Sequence, residues 1–191
     1  MPDKRQRIIA AAIKLFEENG FWNTSTANIS REAGIATGTL FRYFSTKDEL
    51  INELFLELER EIAITIYGNT PEDTDVRTRL KLIWDSYIRW NLENPGKHAI
   101  IAQLEVASRI SHSVKRQVVD LNQFTVKTFK EGIKQGEIAD YPVSFLAAFL
   151  SSSSNSVIRQ LLSHPGRLPG KKAREQLITI GFETFWKGIT P

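Results

Sequence analysis

Apolar residues recur three or four places apart along almost the whole chain, and glycine, proline or asparagine closes most of the runs before the next begins. A chain punctuated in this way folds as a series of packed helices. Ile8, Ile9, Ala12, Leu15 and Phe16 make the first run, ended by Asn19-Gly20. Thr24, Ser25 and Thr26 offer capping hydroxyls to a short second helix with Ile29 and Ala33, stopped at Gly34. A third short helix carries Leu40, Phe41 and Phe44. Thr46 and Glu49 form a capping box for the fourth, where Leu50, Leu54, Leu58 and Ile62 repeat every fourth residue until Gly68.

Leu80, Ile83, Trp84, Tyr87 and Ile88 mark a fifth helix ending at Asn94-Pro95-Gly96, and a sixth covers about 98–110. Ser111 caps a seventh, with Val114, Val118, Leu121, Phe124, Phe129 and Ile133, that stops near Gly136. Pro142 starts an eighth that reaches Leu162. The serine-rich stretch 151–156 has the composition of a linker. Leu146, Phe149, Leu150, Val157, Ile158 and Leu161 nevertheless keep helical spacing across it, so it reads as one helix with a belt of small residues. A loop over 164–170 precedes a last helix with Ala173, Leu177, Ile180, Phe185 and Trp186. No stretch alternates as a strand does. The expected fold class is all-α, with about nine helices.

The absence of cysteine excludes disulfides, thiolate metal sites and cysteine nucleophiles. Lys4, Arg5 and Arg7 ahead of Ile8–Ile13 imitate a signal peptide, but Lys14, Glu17 and Glu18 cut the apolar run short, so the segment reads as mature structure. No apolar stretch approaches the roughly 18 to 20 residues needed to span a bilayer, which makes a cytoplasmic location the default and a membrane partner unexpected. Residues 1–47 hold seven Lys or Arg against four Asp or Glu, whereas the remainder is balanced. Asp48 and Glu49 lie just past that cut, so charge alone supports a nucleic-acid partner only weakly.

Spacing says more than charge. A helix-turn-helix needs a short supporting helix, a tight turn and a second helix whose first turns project into the major groove. Residues 29–44 meet each need: Ala33 is small at the crossing, Gly34 relieves the turn, and Leu40 and Phe44 anchor the second helix. Thr37, Thr39, Arg42 and Tyr43 are left on or near the outward face. The threonines can bond phosphate or a base edge, and Arg42 can fork onto guanine or grip phosphate.

Ile8, Ala12, Leu15-Phe16, Gly20-Phe21, Thr24, Ile29, Ala33-Gly34-Ile35, Gly38-Thr39-Leu40-Phe41-Arg42-Tyr43-Phe44, Lys47 and Leu50 together resemble the N-terminal signature of TetR regulators, over about a quarter of the chain. The resemblance implies a DNA-binding domain over 1–47 and a helical ligand-binding and dimerisation domain over 48–191. It implies DNA contacts from Thr24, Ser25 and Thr26, from Thr37, Gly38, Thr39, Phe41, Arg42 and Tyr43 on the recognition helix, and from Lys47 as a phosphate-binding lysine. Two positions depart from the family pattern. Phe41 stands where many members carry tyrosine, and Ala36 where a serine commonly caps the recognition helix.

The resemblance further implies a homodimer formed by the last two helices, with Phe149, Val157, Leu161, Leu177 and Phe185 at its interface, reading two half-sites of a double-stranded operator. It implies a repressor released by a small apolar or amphipathic effector, for which Leu58, Ile62, Trp84, Tyr87, Ile88, Gln103, Leu104, Phe124, Ser151 and Asn155 are candidate lining residues. No cofactor or metal is called for. An enzyme would draw on His98, His112, His164 or the scattered serines, but these have no metal-ligand spacing, and no nucleophile-elbow or phosphate-loop motif is present. The remaining alternative is an all-helical ligand carrier or interaction module that reads no operator.

Overall fold

The computed structural model describes residues 3–71, 73–163 and 169–191, and among these the regular elements are ten α-helices with no strand. They are α1 (Lys4–Asn19), α2 (Thr26–Glu32), α3 (Thr37–Tyr43), α4 (Lys47–Gly68), α5 (Val76–Glu93), α6 (Pro95–Val106), α7 (His112–Leu121), α8 (Gln123–Gln135), α9 (Val143–Leu162) and α10 (Lys171–Ile189). The serine belt lies inside α9, as its apolar flanks predict. His164 and most of the loop expected over 164–170 fall outside the described residues.

The expectation of nine helices is corrected to ten, because the long seventh helix is interrupted at Asn122. Asp120 and Asn122 are weak helix formers whose side chains compete for backbone bonds, while the apolar spacing runs through the interruption unchanged and so conceals it. The sixth helix also begins earlier than expected. Pro95, which closes α5, is itself the first residue of α6, where its fixed φ suits a helix start.

The chain divides into two compact units, one of residues 1–60 and 95–119, the other of 61–94 and 120–191. In the first, α1 packs on α2 and α6, and α2 on α3. Ile8, Ala12, Phe16, Ile29, Leu40, Phe44, Leu50 and Leu54 are buried there. In the second, α5 packs on α8, α9 and α10. Trp84 is the centre of that core: its Nε1 donates to the Ile178 carbonyl (3.1 Å) and its ring stacks on Phe185 at 5.9 Å. Gly181 lets α10 approach so closely that a Cβ there would meet Val157 at 2.6 Å and Trp84 at 2.9 Å.

Candidate nucleic-acid interface

Ser25 caps α2, accepting from the Asn28 amide (3.2 Å). Gly34, at φ +63, turns the chain between α2 and α3, and Ile35 N–H closes the turn onto the Ser30 carbonyl at 3.0 Å. Arg7 from α1 reaches this turn and donates to the Ala33 carbonyl (2.5 Å). The third helix is then held by Leu40 and Phe44, both fully buried. Ala36 occupies its N-cap without a side-chain bond, as its sequence departure implies.

With α3 anchored on that side, Thr37, Gly38, Phe41, Arg42 and Tyr43 are exposed and Thr39 is half-buried. Phe41 is 44% exposed, a large apolar ring in water beside a free cation. Arg42 makes no hydrogen bond or ion pair among the described residues, so its guanidinium fork is available. No atom lies within 4 Å of a Cβ placed at Gly38, and nothing inside the chain requires glycine there. At the start of α2, Ser25 is exposed and Thr26 half-buried.

Two residues expected to face phosphate are engaged internally. Thr24 is buried, and its hydroxyl donates to the carbonyls of Gly20 (3.0 Å) and Leu15 (3.3 Å). Lys47 Nζ donates to the Thr24 carbonyl (2.7 Å) and the Phe21 carbonyl (3.4 Å), and sits 4.7 Å from the Phe21 ring centroid. Burial, and then the nearby Arg109 charge, lower its pKa from the ordinary value. The basic surplus of the segment is largely engaged as well: Arg5 pairs with Glu53, and Lys14 with Glu32.

A fastening that the sequence did not reveal surrounds the start of α4. Arg109 pairs with Asp48 (3.1 Å) and lies over the Trp22 ring at 5.8 Å, while its carbonyl accepts from Asn52 Nδ2 (3.1 Å). Asn52 Oδ1 accepts from the Ser111 amide (2.8 Å). The α6–α7 connection is thus tied to the first turns of α4 and to the α1–α2 turn. Lone residues 57 to 61 positions apart leave no sequence pattern to find.

Residues 8–54 match the family model of bacterial regulatory proteins of the tetR family. That match covers the N-terminal quarter of the chain, which is similar to the DNA-binding domain of that family. It is 29% identical over 143 residues to the fatty acid metabolism regulator protein of Bacillus subtilis, covering 72% of each chain. It is 24% identical to the transcriptional regulator UidR of Escherichia coli K12, over 71% of this chain and 69% of that one. A crystal structure from Shewanella sp. PV-4, described as of the tetR family of transcription regulators, matches over 100% of both chains with a TM-score of 0.88 and 29% identity. The chain is thus similar to TetR-family transcriptional regulators, and its described residues form an all-helical fold with a helix-turn-helix at the N-terminus. No helix among its described residues is long and apolar enough to cross a membrane.

The residues expected to line an effector site fall in different surroundings. Leu58 and Leu104 are buried in the first unit, where Gln103 is exposed. Ile62, Trp84 and Ile88 are buried in the second, and Trp84 is committed to the core described above. Tyr87 and Asn155 come together, hydroxyl to Oδ1, at 3.1 Å, and Ser151 is exposed. Phe124 alone of the set lines a groove of about 670 Å³, whose other walls come from Arg79 and the lysines of α8.

The interface set is divided in the same way. Val157, Leu161 and Phe185 are buried within the chain's own core, whereas Phe149 and Leu177 are half-buried. The large apolar side chains left in water on α9 and α10 are Phe145 (52% exposed) and Ile180 (53%). Helical spacing marks the apolar positions of α9 and α10 without saying which of them the chain covers itself.

The first unit also holds Glu59, half-buried, whose carboxyl is pushed up to about 7 by burial and then by the neighbouring Glu105 charge. Glu105, more exposed, is raised by partial desolvation, with Lys115 opposing.

Proposed function

We propose that this chain is a dimeric, effector-responsive repressor that reads a palindromic operator through α3. The observation carrying the reading is the outward face of α3: Arg42 without a hydrogen-bond or ion-pair partner among the described residues, flanked by Thr37, Phe41 and Tyr43, with open space at Gly38. Arg42 forks onto a base edge or a phosphate, Phe41 packs against a thymine methyl, and Gly38 lets the backbone approach the duplex. Ser25 and Thr26 reach phosphate from the start of α2.

One such unit buries too little DNA for selectivity, so two copies related by a two-fold axis read half-sites roughly 34 to 36 Å apart. The outward faces of α9 and α10 supply the contact, with Phe145 and Ile180 as its apolar anchors. Ala148, Ser152 and Ser156, all exposed or half-buried and small, allow the helices of two copies to approach. The effector is apolar or amphipathic. Likeness to a fatty acid metabolism regulator favours a fatty-acid-derived molecule. It binds the spacing that fits the operator poorly, and by reciprocity weakens DNA binding by the factor by which DNA weakens effector binding.

Fluorescence anisotropy of the full chain on duplex DNA at increasing salt tests the reading. A dimer gripping several phosphates loses affinity steeply as counterions are added back. Absence of binding at low salt, or affinity indifferent to salt, contradicts it and leaves the carrier or interaction module.

A further inference from the structure

The groove on the second unit has a composition that the apolar effector does not explain. Its walls include Arg79 from α5 and Phe124, Lys127, Lys130, Glu131 and Lys134 from α8. The three lysines follow at three- and four-residue steps and so share one face of the helix, where like charges repel. Among the described residues none of them lies within ion-pair distance of a carboxylate. The one carboxylate in the wall is already engaged: Glu131 accepts from Arg79 (2.7 Å) and from Gln135 (3.2 Å). Arg79, almost wholly buried, gives its other terminal nitrogen to the Thr74 carbonyl (2.7 Å), and its Nε is buried with no acceptor. Among the described residues the groove therefore combines three lysines without an ion-pair partner, of which Lys127 alone acts on Glu131 at longer range, with an arginine whose Nε has no acceptor.

We propose that this groove binds a small phosphorylated molecule carrying at least two negative charges. A volume of about 670 Å³ lies within the range of small-molecule sites, roughly 300 to 1,000 Å³. Phe124, braced edge-on by Tyr67 at 5.5 Å, gives the groove a flat apolar wall. That wall suits an organic phosphate, with ring or chain against Phe124 and phosphates among the lysines, better than a bare ion. The site uses no residue of the DNA-reading face, so it stands or falls separately from operator recognition.

Calorimetric titration of the full chain at near-physiological salt, with ADP, pyrophosphate, adenosine and sulfate as probes, decides the matter. ADP is expected to saturate one site per chain and to bind more tightly than pyrophosphate, with adenosine and sulfate far weaker. Lys130→Gln with Lys134→Gln, exposed changes that spare the fold, weakens ADP binding about tenfold, the sum of two exposed charge contacts. Lys171→Gln with Lys172→Gln removes the same charge from the start of α10 and leaves ADP binding unchanged. Operator affinity without ADP stays the same in both. The proposal is overturned if ADP does not saturate, if sulfate matches it, or if both lysine pairs weaken it equally.

Discussion

Replacing Glu59 by glutamine should stabilise the protein at neutral pH and do little near pH 4. Unfolded, the Glu59 carboxyl ionises near its ordinary value of 4.5; folded, burial and the Glu105 charge hold the proton on until about 7. Between those values the folded state binds more protons than the unfolded one, so stability falls as pH rises through this window and levels off above it. The 2.5-unit difference corresponds to roughly 3 kcal/mol at full ionisation, and the open side of a half-buried group trims this to about 2. Glutamine keeps the shape and removes the charge. Urea unfolding of both proteins at one fixed concentration should show the variant ahead by about 2 kcal/mol near pH 7.5 and by less than about 0.5 near pH 4. Carboxylates with lowered pKa, such as Glu131 and Glu175, impose the opposite trend on both proteins and cancel in the difference. An advantage of equal size at both pH values would refute the reasoning.

Arg42→Ala should weaken specific DNA by about 1–3 kcal/mol and random DNA much less, measured by competition anisotropy; equal losses would remove Arg42 from base reading. Lys47→Ala should cost about 1–2 kcal/mol of stability by thermal unfolding, since two carbonyls lose their donor, yet leave the slope of log affinity against log salt unchanged. A slope smaller by about one would mean that Lys47 leaves its carbonyls to grip phosphate. Gly34→Ala should lower stability by about 1–2 kcal/mol, because φ +63 disfavours a Cβ and Arg7 stands 3.0 Å from it; an unchanged unfolding midpoint would contradict this. Phe145→Glu with Ile180→Glu should yield a folded monomer by sedimentation, whereas a persisting dimer would place the interface elsewhere.

Most helices were legible because each buried stripe repeats at helical spacing and most runs end in a residue with a physical reason to stop, as at Gly20, where φ is +77. The recognition face was legible because Leu40 and Phe44 anchor α3 and so fix which residues face outward. Asn122 escaped notice because a one-residue interruption leaves the spacing intact. The carbonyl bonds of Thr24 and Lys47 were not legible, because a hydroxyl or an ammonium bonds a backbone carbonyl as readily as a phosphate, and only coordinates show the carbonyls within reach. The burial of Val157, Leu161 and Phe185 in the chain's own core was illegible for a similar reason, since an apolar residue serves a monomer core or a dimer contact equally well. The Arg109 fastening and the α8 groove join residues distant in sequence or different in type, and no local pattern announces them.

Selection of fragments bound by the full chain from a random duplex pool tests the central claim most directly. The account predicts a recovered palindrome with half-sites about one helical turn apart, lost when Arg42→Ala is used for the selection. Recovery of no sequence, or of an asymmetric one bound by a single chain, would contradict it.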